Sequence, residues 1–293
     1  MSKIPLPRVV KRPLVAVWNA SHRLGWLARD YASAIAQGRI EPCSVCGKTR
    51  PMLYRRRVIP DRLVELWGLS PRQAVALARK ESSDCSACGA KLRARRLAEA
   101  LLDLYPTGAR SLRDWARSSV ARDLRIAEIN RIDGLHEALK GLPDFRSSDF
   151  TPGATPGAVV DGVRCEDFTR LTYPDACFDL VLTSETLEHV PDLASALAEC
   201  HRVLAPGGRH VFTAPVSPNV AKTFPRARLG PDGSVEHLAP SISHPGGDWG
   251  YPVFTELGTD LPDILRQAGF ETEIRFGPIS DDDLAQVYVC RKP

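Results

Sequence analysis

The chain has 293 residues, 43% of them hydrophobic, which suits one large domain with a smaller companion. No apolar run approaches the ~18 residues of a membrane-spanning helix. The apolar stretch near the N-terminus is short and interrupted by proline, so we do not expect a signal peptide, and we expect a cytoplasmic protein.

The charge is divided unevenly along the chain. Residues 1–125 contain 25 Lys/Arg and 10 Asp/Glu; subtracting these from totals of 39 and 35 leaves 14 and 25 for the rest. The front is therefore basic and the back acidic. We expect the two parts to dock on each other or the basic helix faces to be solvated, and binding of nucleic acid is the alternative.

In chain order, the patterns divide the sequence into three units. Residues 1–39 are predicted to form an irregular arm and a helix, residues 40–110 a four-cysteine module, and residues 111–293 the large domain. The predicted helices of the first two units are Ser21–Gln37, Pro60–Leu69, Pro71–Lys80 and Lys91–Tyr105, and a linking helix is predicted over 111–122.

Two cysteine pairs define the middle unit. Cys43 and Cys46 precede Gly47, and Cys85 and Cys88 precede Gly89. Two such turns supply the four thiolates of a tetrahedral zinc site, and glycine lets the backbone curl round the sulfurs. We predict one structural zinc ion, with a redox pair as the alternative. The other cysteines are expected to be buried thiols: Cys165, Cys177, Cys200 and Cys290.

From Leu124 onwards, short apolar runs alternate with helical segments. The predicted strands are Leu124–Ile129, Phe145–Ser148, Gly162–Cys165, Phe178–Thr183, Arg209–Ala214, Glu271–Phe276 and Ala285–Cys290. The predicted helices are Leu135–Leu142, Asp192–Leu204 and Thr259–Ala268. This alternation predicts an α/β fold, a parallel sheet with helices on both faces. A Pro/Gly-rich excursion over 215–253 is long enough to be functional.

Four motifs follow one another in the large domain. They are Glu166–Asp175 (EDFTRLTYPD), Phe178–Val181 (FDLV), Ser184–Asp192 (SETLEHVPD) and His201–Gly208 (HRVLAPGG). This succession resembles the class I S-adenosylmethionine-dependent methyltransferases of type 11. The resemblance covers Leu124 to Pro293. It implies a Rossmann-like class I methyltransferase sheet, here preceded by a small helical zinc-knuckle module of the treble-clef or ribbon kind.

The resemblance also implies a set of contacts to S-adenosylmethionine. These fall on Glu128, Asn130, Gly134, Asp149, Asp167, Phe168 and Ser184. Asp149 matches the carboxylate for the ribose hydroxyls, and Asp167 matches the one for the adenine amino group. The first motif departs from the family because Asn130 and Ile132 replace two glycines. Isoleucine tolerates the left-handed conformation poorly, so we expect this loop to take another path, with the cofactor retained on it or lost.

The segment after the predicted strand Phe178–Thr183 carries the candidate catalytic groups. His189 is the first candidate for a general base, with Glu188 beside it, and His237 in the excursion is the second. His189 could instead be purely structural, and His237 could instead be a surface histidine of a mobile loop. The spacing of Glu185, Glu188 and His189 resembles the divalent-metal site of ubiquinone-pathway O-methyltransferases, so a divalent cation is a further candidate.

Three functions remain open from the sequence. The first is transfer of a methyl group to an oxygen or nitrogen of a small metabolite or sugar. The second is RNA methylation, with the basic zinc module binding the nucleic acid; the segment Thr183–Thr186 lacks a base-methylating motif, which counts against it. The third is a non-catalytic or repurposed methyltransferase fold. No oligomeric state is predicted.

Overall fold

The computed structural model describes residues 29–54, 59–244 and 251–293, apart from 30 and 38. Residues 31–36 are helical (α1), whereas the predicted arm and the first part of the helix Ser21–Gln37 lie outside the described residues. Among the described helices, none is both long enough and apolar enough to cross a membrane.

The cysteine module combines a small sheet with helices. Its elements are β1 (Ile40–Pro42), β2 (Thr49–Tyr54), α2 (Asp61–Leu66), α3 (Pro71–Ser82), β3 (Ser83–Cys85) and α4 (Leu92–Leu104), followed by α5 (Leu112–Trp115) and α6 (Ser119–Arg122). The strands form an antiparallel sheet in the order β1-β2-β3. Helix α3 begins where the sequence predicts because Ser70 and Gln73 form a reciprocal capping box and Pro71 occupies the first helical position.

The large domain is built on an eight-stranded sheet. Its elements are β4 (Ile126–Ile129), α7 (Leu135–Leu139), β5 (Phe145–Asp149), β6 (Val159–Val160), β7 (Val163–Cys165), β8 (Phe178–Ser184), a 3₁₀ helix (Leu187–His189), α8 (Leu193–Val203), β9 (Leu204–Thr213), α9 (Leu261–Gln267), β16 (Glu271–Arg275) and β17 (Val287–Arg291). The spatial order is β16-β17-β9-β8-β4-β5-β7-β6. Strands β7, β5, β4, β8 and β9 are parallel to their neighbours in this run. Numbered along the chain, these five strands have the order 3-2-1-4-5 of a doubly wound Rossmann-like sheet, as predicted.

The two faces of the sheet bury different helices because successive side chains of a strand point to opposite faces. In β8, Leu180 and Leu182 belong to the core that contains α4 and the cysteine knuckles, whereas Val181 belongs to the core with α8 and α9. The cysteine module and the large domain therefore share one hydrophobic core.

Ion pairs join the basic front to the acidic back. Arg96 binds Asp283 at 2.6 Å, and Arg72 on α3 pairs with Asp282. Lys80, the last lysine of α3, lies 3.0 Å from Glu185. In these pairs the opposite charges dock the two parts on each other, which is one of the interpretations of the charge pattern given above.

The excursion forms short two-stranded pairs. They are β10 (Phe224–Pro225) with β15 (Thr255–Glu256), β11 (Ala227–Leu229) with β12 (Val235–His237), and β13 (Ser243–His244) with β14 (Tyr251–Pro252). The chain then returns to the sheet edge, where the Phe254 amide donates to the Glu188 carbonyl at 2.8 Å. The excursion therefore contacts the segment that follows β8.

Candidate functional site

The crevice predicted by the sheet topology lies between the carboxyl ends of β4 and β8. These strands are neighbours. The strand that follows β4 in the chain, β5, lies on one side of them, and the strand that follows β8, β9, lies on the other. Ligands of doubly wound sheets bind at such a switch point. The predicted cofactor and catalytic segments follow β4, β5, β7 and β8, so the topology brings them to one edge.

Glu128, in β4, organises the loop that follows its strand. It is fully buried and accepts hydrogen bonds from the Ile132 amide at 3.1 Å and the Ser147 hydroxyl at 2.9 Å. His136 Nδ1 lies 2.7 Å from the same carboxylate. Burial raises the pKa of Glu128, and these three groups oppose that rise. All three contacts are made within the protein, so the Glu128 side chain holds the conformation of the loop.

The loop after β4 accommodates the two glycine replacements in different ways. Asn130 adopts the left-handed conformation, with φ of 61°, and its Oδ1 accepts from the Phe150 amide at 3.2 Å. Ile132 is 3% exposed and packs in the core shared with the cysteine module. Gly134 has φ of 74°, and a Cβ there would lie 3.0 Å from Cβ of Ala90. Asparagine thus supplies one glycine-like conformation, while isoleucine points into the core.

Asp149 ends β5 beside this loop. One carboxylate oxygen accepts from the Arg131 amide at 2.9 Å, and the other lies 3.4 Å from the Arg131 guanidinium. The Asp149 side chain is 37% exposed, and the next residue, Phe150, is 57% exposed. An accessible carboxylate beside an accessible aromatic ring suits a ribose and a purine base.

Asp167 and Phe168 follow β7, the neighbour of β5. Oδ1 of Asp167 accepts from the amide of Thr169 at 2.9 Å and from its hydroxyl at 2.7 Å. This is the turn-capping role that such an aspartate can also have. Phe168 is 4% exposed and belongs to the core beneath the edge. Phe150 is therefore the more accessible aromatic ring, and it was not among the predicted contacts.

The segment after β8 places Glu188 and His189 side by side. Nδ1 of His189 donates to the Pro252 carbonyl at 2.8 Å, and its Nε2 lies 3.4 Å from Oε1 of Glu188. The Glu188 side chain is 1% exposed and that of His189 is 19% exposed. The Ser184 hydroxyl lies 2.8 Å from the Thr213 hydroxyl. His189 is thus a partly accessible imidazole fixed by a backbone carbonyl.

The candidate divalent-cation site needs a correction. Within the described part of the chain, the four cysteines are the only group of three or more His, Cys, Asp and Glu whose ligand atoms all lie within 4.8 Å of one another. Glu185, Glu188 and His189 do not form such a group. Glu185 is instead engaged by a protein cation, because the Lys80 ammonium lies 3.0 Å from its Oε2.

The two histidines of the excursion differ from His189. His237 is exposed at the end of β12, opposite Ala227 of β11. The His244 backbone pairs with Tyr251. The Tyr251 ring, next to Pro252, also approaches the candidate base, with its centroid 5.8 Å from that of His189.

The four module cysteines converge as predicted. Sγ of Cys43 lies 3.7 Å from that of Cys88, and Sγ of Cys46 lies 3.9 Å from that of Cys85. Four sulfurs at ~2.3 Å from a tetrahedral zinc ion are about 3.8 Å apart. Gly47 and Gly89 both have positive φ, and their amides donate to the carbonyls of Cys43 and Cys85 at 2.8 Å. The cluster therefore has the dimensions of a closed four-thiolate zinc site.

The fold and edge described above define a Rossmann-like α/β domain with an attached cysteine module. Comparison with known proteins narrows the class of protein. Residues 136–212 match the family described as a methyltransferase domain. The match covers about a quarter of the chain, and it lies within the large domain.

Similar proteins with established names are methyltransferases. A ubiquinone biosynthesis O-methyltransferase of Thiobacillus denitrificans is 37% identical over 126 residues, covering 43% of this chain and 49% of the relative. A demethylmenaquinone methyltransferase of Deinococcus radiodurans is 32% identical over 149 residues, covering 44% and 58%. The matches thus span about half the length of these relatives.

Solved structures give a weaker likeness. An S-adenosylmethionine-dependent methyltransferase from Mesorhizobium loti aligns with 58% of this chain and 91% of its own, at 22% identity and a TM-score of 0.37. The assignment of the fold therefore rests on the strand order and the family match.

Proposed function

We propose that the protein is an S-adenosylmethionine-dependent methyltransferase that acts on an oxygen or nitrogen of a small molecule. The observation that carries the proposal is the position of Asp149 at the end of β5 and of Asp167 two residues after the neighbouring β7, with the left-handed Asn130 after β4. The residues fit the cofactor because two carboxylates can accept from its ribose and adenine while Phe150 offers a ring face.

S-adenosylmethionine supplies an activated methyl group on a sulfonium when bound. The residues of this chain would orient it and remove a proton from the acceptor. With Nδ1 donating to Pro252, a neutral His189 carries its lone pair on Nε2, so Nε2 is the atom that would accept the proton. The Glu188 carboxylate at 3.4 Å would stabilise the resulting imidazolium.

Two observations support a small molecule as the acceptor. The relatives named above include a demethylmenaquinone methyltransferase, whose name indicates a small quinone. In addition, Arg72, Lys80 and Arg96 of the basic front are engaged in ion pairs with the large domain, which reduces the charge available to a nucleic acid.

The test combines binding and transfer. Calorimetry measures binding of S-adenosylmethionine to the full chain, and a tritiated methyl group reports transfer to a panel of acceptors that includes demethylmenaquinone, a catechol and a ribosomal RNA. The proposal expects one-site binding and label in a small molecule. Label only in the RNA would replace it with the second function from the sequence.

A pair of histidine variants tests the general base. We expect His189→Gln to reduce turnover by roughly 10²-fold or more, the range of general acid–base catalysis. His237→Gln is the matched control, because this side chain is exposed on a hairpin, and it should keep turnover within about twofold of the parent. The reverse order of the two variants would move the base to His237.

The contact of Arg131 with Asp149 supports a second candidate, a methyltransferase fold that no longer binds the cofactor. One Asp149 oxygen accepts from the Arg131 amide and the other lies 3.4 Å from the Arg131 guanidinium, so Arg131 competes with a ribose for this carboxylate. If this contact closes the site, the Arg131→Ala variant should bind S-adenosylmethionine and the parent should not. Binding by the parent itself rejects this candidate.

We further propose that Cys43, Cys46, Cys85 and Cys88 hold one structural zinc ion. Closed four-thiolate sites do no chemistry, and their binding energy stabilises the fold. Metal analysis of the purified protein should give one zinc per chain. Much less zinc, together with four titratable thiols, would contradict the assignment.

A further inference from the structure

A buried lysine of the cysteine module reaches the carboxyl edge of the large sheet. Lys80, in the last turn of α3, is 1% exposed. Its Nζ donates to Oε2 of Glu185 at 3.0 Å and to the Ala214 carbonyl at 2.9 Å. Glu185 directly follows β8 and Ala214 directly follows β9. One ammonium therefore joins the ends of two neighbouring strands.

The backbone at Glu185 is held in an unfavourable conformation. Its φ is 50°, in the left-handed region that residues with a Cβ seldom adopt. The Glu185 amide donates to the Thr213 carbonyl at 3.0 Å. Burial opposes ionisation of Glu185, but the charges of Lys80 and Arg93 outweigh it and lower the carboxyl pKa. Lys80 thus holds the Glu185 side chain, and the Thr213 carbonyl holds its backbone amide.

The same module also contacts the loop on the other side of the crevice. Arg93 on α4 lies 3.1 Å from Asp133 and pairs with Glu81, while Lys91 lies 3.5 Å from Asp133. Gly134 packs against Ala90, as described above. Charged groups of the module therefore run from the loop after β4 to the segment after β8, the two walls of the predicted cofactor crevice.

Burying a charged pair is costly, and hydrophobic residues of similar volume often stabilise a fold equally well. Docking alone could use exposed pairs, and the Arg72–Asp282 pair of the same helix has side chains 67% and 65% exposed. The buried position of Lys80 at the strand ends calls for another explanation.

We propose that Lys80 is a positioning residue that fixes Glu185 and thereby the segment Glu185–His189, so that the cysteine module is part of the methyl-transfer site. The part of this inference that concerns methyl transfer rests on the proposed function. The positioning itself is a property of the protein without ligand.

The test uses the full chain and hydrogen exchange read by mass spectrometry. Lys80→Met leaves the buried Glu185 unpaired and could prevent folding, so the double variant Lys80→Met/Glu185→Leu, which removes both charges, accompanies it. Arg72→Met is the matched control, since it removes an exposed pair from the same helix. Calorimetry with S-adenosylmethionine is run on each variant that has a parental thermal midpoint.

We expect amides of the segment Glu185–His189 to exchange at least tenfold faster in the Lys80 variants and at the parental rate in Arg72→Met. We also expect the Kd for S-adenosylmethionine to rise about tenfold in the double variant at an unchanged thermal midpoint, an effect that docking alone would not produce. Parental exchange in this segment would overturn the positioning role, even if the parent binds the cofactor. Conversely, faster exchange in the Lys80 variants, together with a parent that does not bind the cofactor, would support the positioning role and defeat the proposed function.

Discussion

Restoring the family's glycines at positions 130 and 132 should lower stability by very different amounts. Ile132 is 3% exposed in the core shared by the cysteine module and the sheet. Truncation of a buried isoleucine to alanine costs about 2–5 kcal/mol, and glycine adds roughly 0.5–1 kcal/mol of backbone entropy. We therefore expect Ile132→Gly to lower the free energy of unfolding by about 3–6 kcal/mol. The matched Ile132→Val change should cost only about 0.5–1.5 kcal/mol.

Asn130 already adopts a glycine-like conformation. Asn130→Gly removes the hydrogen bond from the Phe150 amide, worth about 1 kcal/mol, and loosens the unfolded chain by about 0.4–1 kcal/mol. Relief of the left-handed strain at φ of 61° returns about 1 kcal/mol. We expect a net loss within about 1 kcal/mol.

Urea unfolding with linear extrapolation measures both changes, provided that the slope stays constant. The reasoning fails if Ile132→Gly loses less than about 1.5 kcal/mol, because a buried core role then has no support. It also fails if Asn130→Gly loses more than about 2 kcal/mol, because the backbone would then not be the reason that asparagine is tolerated.

Three further changes have defined outcomes. Asp149→Asn should weaken binding of S-adenosylmethionine by about tenfold in calorimetry, since a neutral amide is a poorer acceptor for ribose hydroxyls; an unchanged Kd would remove Asp149 from the site. Cys88→Ser should lower bound zinc and the thermal midpoint together, and a zinc content equal to the parent's would contradict the four-thiolate site. The hydrogen bond from Arg125, with its charge, lowers the pKa of Asp179 below 3.8, so its contribution is full above that pH and lost as the pH falls through the lowered value. Asp179→Asn should therefore be less stable at neutral pH and lose less stability on acidification, as urea unfolding at several pH values would show.

Much of the fold could be predicted because its strands and helices follow strong local patterns. The predicted strand Phe178–Thr183 and helix Asp192–Leu204 are present within one residue at each end as β8 and α8. The linking helix over 111–122 is instead two single turns. The second turn begins after Ser118, whose side chain caps it by accepting a hydrogen bond from the Ala121 amide. A single serine is enough to break a helix in this way. The spacing of the apolar residues stays helical, so it does not reveal the break.

The site was less predictable because its decisive contacts join residues far apart in the sequence. A lysine such as Lys80 is an ordinary residue at the end of a helix. Its pairing with Glu185 depends on how the module docks. The exposure of Phe150 likewise depends on the turn of the loop around Asn130. By contrast, the four cysteines were found from spacing alone, because zinc ligation imposes a local pattern.

The measurement that tests the account most directly is titration of S-adenosylmethionine into the full chain by calorimetry, beside the Asp149→Asn variant. The account predicts binding at one site per chain in the parent and a Kd raised about tenfold in the variant. No binding by the parent, or equal binding by both proteins, would contradict the assignment of this sheet edge as the cofactor site.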